Sequence, residues 1–439
     1  MDFIVRRTSH GLVPPSEPTP SDVLELSIID RQPALRCIAR TLHVFRHATA
    51  HATPAGRVIR EALGKALVPY YPLAGRLKFD SAANFPRLQI ECCGAGIWFV
   101  EANVDCSLQE VDYFENATSI PYETLEHLLP PPPPHGLDPL VLIQITQFKC
   151  NGFVMGLMFS HAICDGVGAA QFMKAVGEMA RGAERPSITP SWSRELIQSP
   201  SLEAYLKSFP TTLLSSPQPP IPPYKLEHAN IDISSDDINS LKQNFLRQTG
   251  GQRCSTFDIV AASLWRHRTR AISDTLKENE ELILLFFANC RKQLSQLLPE
   301  GFYGNCFFPI IITATCEMLK RASLVDVVKM IQEAKANLTI EFGKWIDCGV
   351  VDVDPFFPPM LYTTLFISEW GRLGFNEVDY GWGPPVHFTP IQDTSIMPVG
   401  IVGCQPSPRS GIRLMTWCVE KAHLQSLANW PTGLEDDVQ

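Results

Sequence analysis

The stretch from Leu140 to Gly182 leaves a folding chain few choices. "LVLIQITQFKC" and "GFVMGLMFS" are apolar, bulky segments of strand length. Asn151-Gly152 separates them, a dipeptide that favours the positive-φ positions of a tight hairpin. "GVGAAQFMKAVGEMARG" follows, with Phe172, Val176 and Met179 on one helical face. The expected unit is strand, hairpin, strand, turn, helix. His161 stands where the second strand ends and the helix is about to begin.

The same alternation runs through the chain. "RVIREALGKALVPYY" places Val58, Ile59, Ala62, Leu63, Ala66 and Leu67 on an i/i+3/i+4 stripe that Pro69 stops. Further on, "STFDIVAASLWRHRTRA" and "SLVDVVKMIQEAKANL" read as helices, and "ELILLFFANCR" and "LYTTLFISEW" as strands. The fold class is therefore α/β with mixed sheets and flanking helices. The 37 prolines cluster. "LPPPPPHGLDP" is a stiff connector, and the zone around Pro217 to Pro223 lies near mid-chain, as an interdomain crossover would. The expected division is an N-terminal domain over 1–195, the crossover over 196–223 and a C-terminal domain over 224–439.

A chain of 439 residues can bury two cores. Its net charge of -9 argues against broad binding to nucleic acid or anionic membranes. The N-terminus "MDFIVRRTSH" lacks a signal-peptide core, and no apolar run approaches the roughly 18 residues of a membrane span. A cytoplasmic protein is expected, its 13 cysteines scattered as free thiols without a C-x-x-C pair.

His161 opens "HAICDG". From position alone it reads as a packed core residue, as a metal ligand beside Cys164, as the activator of a Cys164 nucleophile, or as a general base. No second pair at ligand spacing stands nearby, so no metal is expected. A histidine held at a strand end can point its ring into a cleft, which favours the base. Asp165 and Gly166 suit a tight turn, the first accepting backbone N–H bonds and the second tolerating positive φ.

His161-Ala-Ile-Cys-Asp165-Gly166 acquires a partner about half the chain later, Asp379-Tyr380-Gly381-Trp382-Gly383. Together they resemble the H-x-x-x-D-G and D-F-G-W-G signatures of the BAHD family of plant acyl-CoA-dependent acyltransferases, with Tyr380 in place of the usual Phe. The likeness covers nearly the whole chain. "LSIID", "YYPLAGRL" and "ECCGAGIWFVEA" are similar to further family blocks. "ANCR" stands where the family often has D-x-R, so Asn289 replaces the Asp and Arg291 is kept. "FMKAVGEMARG", "PSWSREL", "FYGNCFFP" and "RLGFNEVDYGWGPP" resemble the branch of taxane acetyltransferases, benzyl alcohol benzoyltransferases and grass p-coumaroyl-CoA monolignol transferases.

The resemblance implies two chloramphenicol-acetyltransferase-like domains with a solvent channel between them. It implies His161 as general base and Asp165 turned away to pair with Arg291. Asp379, Gly381, Trp382 and Gly383, like Gly166, then serve the fold. Trp370 is placed at the reaction centre as an indole donor to the thioester oxygen, with Ser368 two residues earlier on the same strand face.

The implied chemistry is acyl transfer from coenzyme A to a hydroxyl, by direct attack in a ternary complex. An imidazole takes the alcohol's proton as the C–O bond forms. The departing thiolate needs no strong acid, because a thiol's pKa is about 8.5. Arg253, Ser255 and Thr256 precede a helix, and free N–H groups there bind phosphates. Ser255 with Asp258 reads equally as a plain helix cap. "WRHRTR" is expected to be a solvated helix face. Phe286, Phe287, Phe307, Phe308 and Phe366 are expected to line a wide apolar pocket.

The expected protein is a monomer with no permanent cofactor. Acyl-CoA and a small hydroxylated acceptor such as a monolignol are its ligands, and the acyl group is hydroxycinnamoyl or benzoyl. An acetyl-CoA-dependent or amine-accepting enzyme on the same scaffold is the alternative, with a non-catalytic acyl-CoA-binding protein beyond it.

Overall fold

The computed structural model describes residues 3–46, 53–80, 87–116, 120–206, 222–350, 354–391 and 395–428. In chain order the first elements are β1 (Val5–Val13), β2 (Val23–Glu25), β3 (Ile38–Phe45), α1 (Ala55–Ala66), β4 (Arg76–Phe79), β5 (Leu88–Glu91) and β6 (Ile97–Val104). Then come α2 (Tyr122–Glu126), β7 (Val141–Gln147), β8 (Phe153–Ser160), α3 (Gly166–Ala180) and α4 (Pro200–Leu206). The second half holds β9 (Glu227–Ser234), α5 (Ser235–Gln248), α6 (Thr256–Ala271), β10 (Glu281–Asn289), β11 (Phe307–Thr315), α7 (Cys316–Arg321), α8 (Leu324–Ala336) and α9 (Leu338–Cys348). It ends with β12 (Thr364–Glu369), β13 (His387–Pro390), β14 (Val399–Cys404), β15 (Gly411–Val419) and α10 (Lys421–Ala428).

These elements build a mixed α/β protein with two six-stranded sheets. One sheet has the order β1-β6-β7-β8-β3-β13 and the other β11-β10-β12-β14-β15-β9, with a small β2-β5-β4 sheet beside the first. Most neighbours are antiparallel, but β6–β7, β10–β12 and β12–β14 run parallel. The Asn151-Gly152 hairpin forms as expected. Asn151 takes a φ of 59°, and β7 and β8 pair from Gln147↔Phe153 outward.

The chain does not divide linearly. One compact unit comprises Met1–Pro217, Arg291–Cys306 and Leu373–Asp393. The other comprises Gln218–Cys290, Phe307–Arg372 and Thr394–Gln439. The Asp379–Gly383 element thus belongs with the first unit, not with a C-terminal domain over 224–439. The reason is strand pairing: β13 completes the first unit's sheet by joining β3 through four residue pairs. A pairing across so many residues leaves no local signal. Of the proline-rich crossover, residues 207–221 lie outside the described residues.

In the second unit the β pleat sorts the five phenylalanines. Successive side chains leave opposite faces of a strand. Phe286 meets Phe257 of α6 at 5.1 Å, and Phe308 meets Phe342 and Trp345 of α9 at 5.6 Å each. Phe287, Phe307 and Phe366 share the other face, with Phe287 stacked on Phe307 at 4.6 Å and tilted against Phe366 at 5.0 Å. The five therefore do not form one lining: three share a face of the sheet. Two of the five are packed against helices.

The basic run on α6 is not a solvated face. Trp265, Arg266 and Arg268 are buried. Arg268 donates from Nε to Cys418 O at 2.7 Å and from Nη2 to Tyr362 O. The guanidinium satisfies two backbone carbonyls inside the unit, and burial pulls its pKa down.

In the first unit β3 carries a buried histidine. The His43 ring stacks on Phe388 at 5.5 Å and meets Phe375 edge-on at 4.9 Å, and its Nε2 is 2.9 Å from Thr41 Oγ1. Burial first, and the nearby His387 second, push its pKa down to about 3.

Two outcomes follow from these placements. Between pH 6.5 and about 3 the unfolded chain carries a proton on His43 that the folded chain refuses, so stability falls as pH drops through that window. His43→Gln should flatten the pH dependence of the unfolding free energy, measured by urea titration, by up to about 1.4 kcal/mol per pH unit within that window. Phe286→Ala should cost about 3–5 kcal/mol, as expected for a buried aromatic. Phe287, 37% exposed, should cost clearly less when truncated, measured by the same midpoint.

Candidate active site

His161 directly follows the last residue of β8. Its backbone is held on both sides: the N–H donates to Cys37 O at 2.9 Å, and the C=O accepts from Asn305 Nδ2 at 2.8 Å. The residue is half-buried, with the Phe159 ring 6.3 Å away.

Four residues on, Asp165 caps α3. Its Oδ1 accepts from Gly168 N at 2.9 Å and from Arg291 Nη2 at 3.0 Å. Its Oδ2 accepts from Arg291 Nη1 at 2.8 Å and from Cys306 N at 3.1 Å. Burial pushes the carboxyl up, but the Arg291 charge and these four bonds prevail and hold it below the usual carboxylate range. Arg291 also donates to Gly304 O at 2.9 Å. The carboxylate's acceptor sites are thus filled by Arg291 and two backbone N–H groups.

Gly166 departs from the expected turn. It is the first helical residue of α3 and is absent from the positive-φ glycines. A Cβ there would sit 2.7 Å from Leu373 Cδ1, so the glycine supplies room, not a left-handed turn. Cys164 is buried, and burial pushes its thiol up to about 12. That removes the thiolate nucleophile from the readings of "HAICDG". Among the described residues no group of three His, Cys, Asp or Glu is placed to hold a metal ion.

The Asp379–Gly383 element packs inside the same unit. Asp379 Oδ1 accepts from Gly381 N at 2.7 Å and Gly383 N at 2.8 Å, and both glycines take positive φ. Trp382 meets Phe153 of β8 edge-on at 5.7 Å. Tyr380 is buried against Phe45 at 5.4 Å. Its hydroxyl, absent from the family's usual Phe, donates to Met155 Sδ at 3.5 Å. On α3, Gly177 lies so close that a Cβ would be 2.5 Å from Asp379 O, and Arg181 donates to that same carbonyl. The element thereby props β8 and α3, which flank His161.

The remaining candidates belong to the second unit. Trp370 Nε1 donates to Ser368 Oγ at 3.0 Å, and both side chains are half-buried. Ser255 is the N-cap of α6: its Oγ accepts from Asp258 N at 3.1 Å, and Asp258 Oδ2 accepts from Ser255 N at 2.8 Å. This is the full capping box. Asp258 also pairs with Lys335 at 2.8 Å. Arg253 is exposed, and Thr256 is the first helical residue. Sequence reasoning missed Asn305, which holds the His161 carbonyl. No local signal in "FYGNCFFP" marks Asn305, because its partners Asp30 and His161 lie 275 and 144 positions away.

The profile of the Transferase family matches residues 3–431. Acyl transferase 4 of Oryza sativa subsp. japonica is 42% identical over 97% of both chains. A myricetin 3-O-glucosyl 1,2-rhamnoside 6'-O-caffeoyltransferase of Crocosmia x crocosmiiflora is 38% identical over 97% of this chain and 98% of its own. The fold is that of vinorine synthase, with a TM-score of 0.71 at 21% identity over 98% of both chains. The strand-end histidine, the buried Asp165–Arg291 pair and a likeness that spans the chain lead to one assignment: the protein belongs to the Transferase family of BAHD acyltransferases and is an acyl-CoA-dependent acyltransferase.

Proposed function

We propose that the protein moves a hydroxycinnamoyl or benzoyl group from coenzyme A to an alcohol hydroxyl of a small plant metabolite, such as a monolignol. The observation that carries this reading is the division of labour within "HAICDG". Asp165 is consumed by Arg291 and backbone N–H groups, while the half-buried His161 is fixed through its backbone. The imidazole takes the alcohol's proton as oxygen attacks the thioester carbon. The C–S bond then breaks, and the proton passes to the departing sulfur. No covalent enzyme intermediate enters.

Charge on the thioester oxygen calls for a donor. Trp370 gives its N–H to Ser368 Oγ, which leaves the Ser368 hydroxyl with its own proton to offer. We therefore assign the oxyanion contact to Ser368, with Trp370 orienting it. A lost oxyanion donor costs roughly 3–4 kcal/mol of transition-state stabilisation. Arg253, Ser255 and Thr256 at the start of α6 bind the coenzyme A phosphates, Arg253 by charge and the two hydroxyls by donation, since the capping box already takes the Ser255 and Asp258 N–H groups. The caffeoyl group in the Crocosmia relative's name supports an aromatic acyl donor, and so does the three-phenylalanine face of Phe287, Phe307 and Phe366.

A thiol-release assay over a panel of acyl-CoAs and alcohols tests the reading. Aromatic acyl-CoAs with an alcohol should turn over faster than acetyl-CoA or any amine. His161→Ala should melt close to wild type while losing about 10²- to 10⁴-fold in turnover. Wild-type turnover by that variant would remove the base. Arg291→Ala should behave in the opposite way. It leaves Asp165 buried and unpaired, at a cost of about 3–5 kcal/mol. Soluble yield and Tm should therefore fall far more than turnover per folded molecule. A variant that folds normally and loses only chemistry would overturn the structural role.

A further inference from the structure

We propose that Asp30, Arg194 and Asn305 form a buried clamp that fixes the direction of the His161 ring, which makes them positioning residues for the transfer. This inference rests on the reading of His161 as the base. Asp30 and Arg194 are both fully buried and pair at 3.0 Å. Asp30 Oδ1 accepts from Asn305 N at 2.9 Å and Asn305 Nδ2 at 2.8 Å. Its Oδ2 accepts from Ser27 N at 3.0 Å and from Arg194 Nη1 at 3.0 Å.

The clamp reaches the site through backbone carbonyls. Asn305 Nδ2 donates to His161 O at 2.8 Å, and Arg194 Nη2 donates to Ile163 O at 2.6 Å. Arg194 Nε donates to Tyr303 O at 3.1 Å, which ties the loop carrying Asn305 to the same guanidinium. Two of the three carbonyls from 161 to 163 are therefore anchored to one carboxylate, Asp30. Fixing those peptide planes fixes the Cα–Cβ direction of His161.

Asn305 carries a cost that fits this purpose. Its Oδ1 is buried with no hydrogen-bond partner among the described residues. A buried orphan acceptor is unfavourable, and an apolar side chain would avoid it. The amide is retained for its two N–H donors, one for Asp30 and one for His161. An error of about 1 Å in a reacting group costs on the order of 10²-fold in rate.

The test is a double-mutant cycle on the full chain, with p-coumaroyl-CoA and the alcohol turned over fastest in the panel. Asn305→Ala should lower kcat by about 10- to 100-fold, with KM for the acyl-CoA within about threefold of wild type. In the His161→Ala background the same change should cost under about twofold, because the residue acts only through the ring. A purely structural role would lower both backgrounds by the same factor, and that result would overturn the clamp. So would a kcat within twofold of wild type for Asn305→Ala. If that variant gives no soluble protein, Asn305→Ser carries the same comparison. Failure of the base is read separately, as wild-type turnover by His161→Ala alone.

Discussion

The carboxylate of Asp165 accepts four hydrogen bonds, and the first unit is organised around it. The four bonds arrive from three separate parts of the chain. Gly168 N is the start of α3, Cys306 N is the end of a returning loop, and the two Arg291 bonds come from a residue 126 positions away. Burial raises the pKa of this carboxyl, and the Arg291 charge and the hydrogen bonds outweigh it. The charge in turn keeps Arg291–Cys306 within the first unit, although the strands before and after that segment belong to the second.

A second buried carboxylate, Asp30, repeats the device on the other side of the "HAICDG" turn. Asp165 holds the helix end of the turn, and Asp30, through Arg194 and Asn305, holds the strand end. Each has every acceptor site used, as a buried charge requires. The histidine lies between them, its backbone N–H and C=O both held. The Asp379–Gly383 element adds a third support from behind, where Trp382 packs on β8 and Gly177 of α3 admits the Asp379 carbonyl.

Much of this could be read in advance where the signal was local. The Asn151-Gly152 hairpin, the stripe of α1, the Ser255–Asp258 cap and the strand-end position of His161 all follow from spacings of a few residues. The motif pair Asp165–Gly166 was legible as a turn, yet Gly166 proved to be a matter of space against Leu373. "WRHRTR" looked solvated because charge runs usually are. Arg268 is buried because two backbone carbonyls, from Tyr362 and Cys418, await a donor there. The phenylalanines of β10 to β12 were grouped by composition, and the pleat separated them.

The sequence by itself determined the α/β class, the elements, the family and the histidine, since periodicity, turn chemistry and motif spacing are properties of neighbours along the chain. Only the tertiary structure decided that residues 291–306 and 373–393 return to the first unit, and that Asn305 reaches the carbonyl of His161. It also decided that the indole of Trp370 is spent on Ser368. The first two depend on partners more than a hundred residues apart, and the third on the conformation that brings two near neighbours, Trp370 and Ser368, together. Nearly every buried backbone donor or acceptor is met by whatever group the fold brings to it.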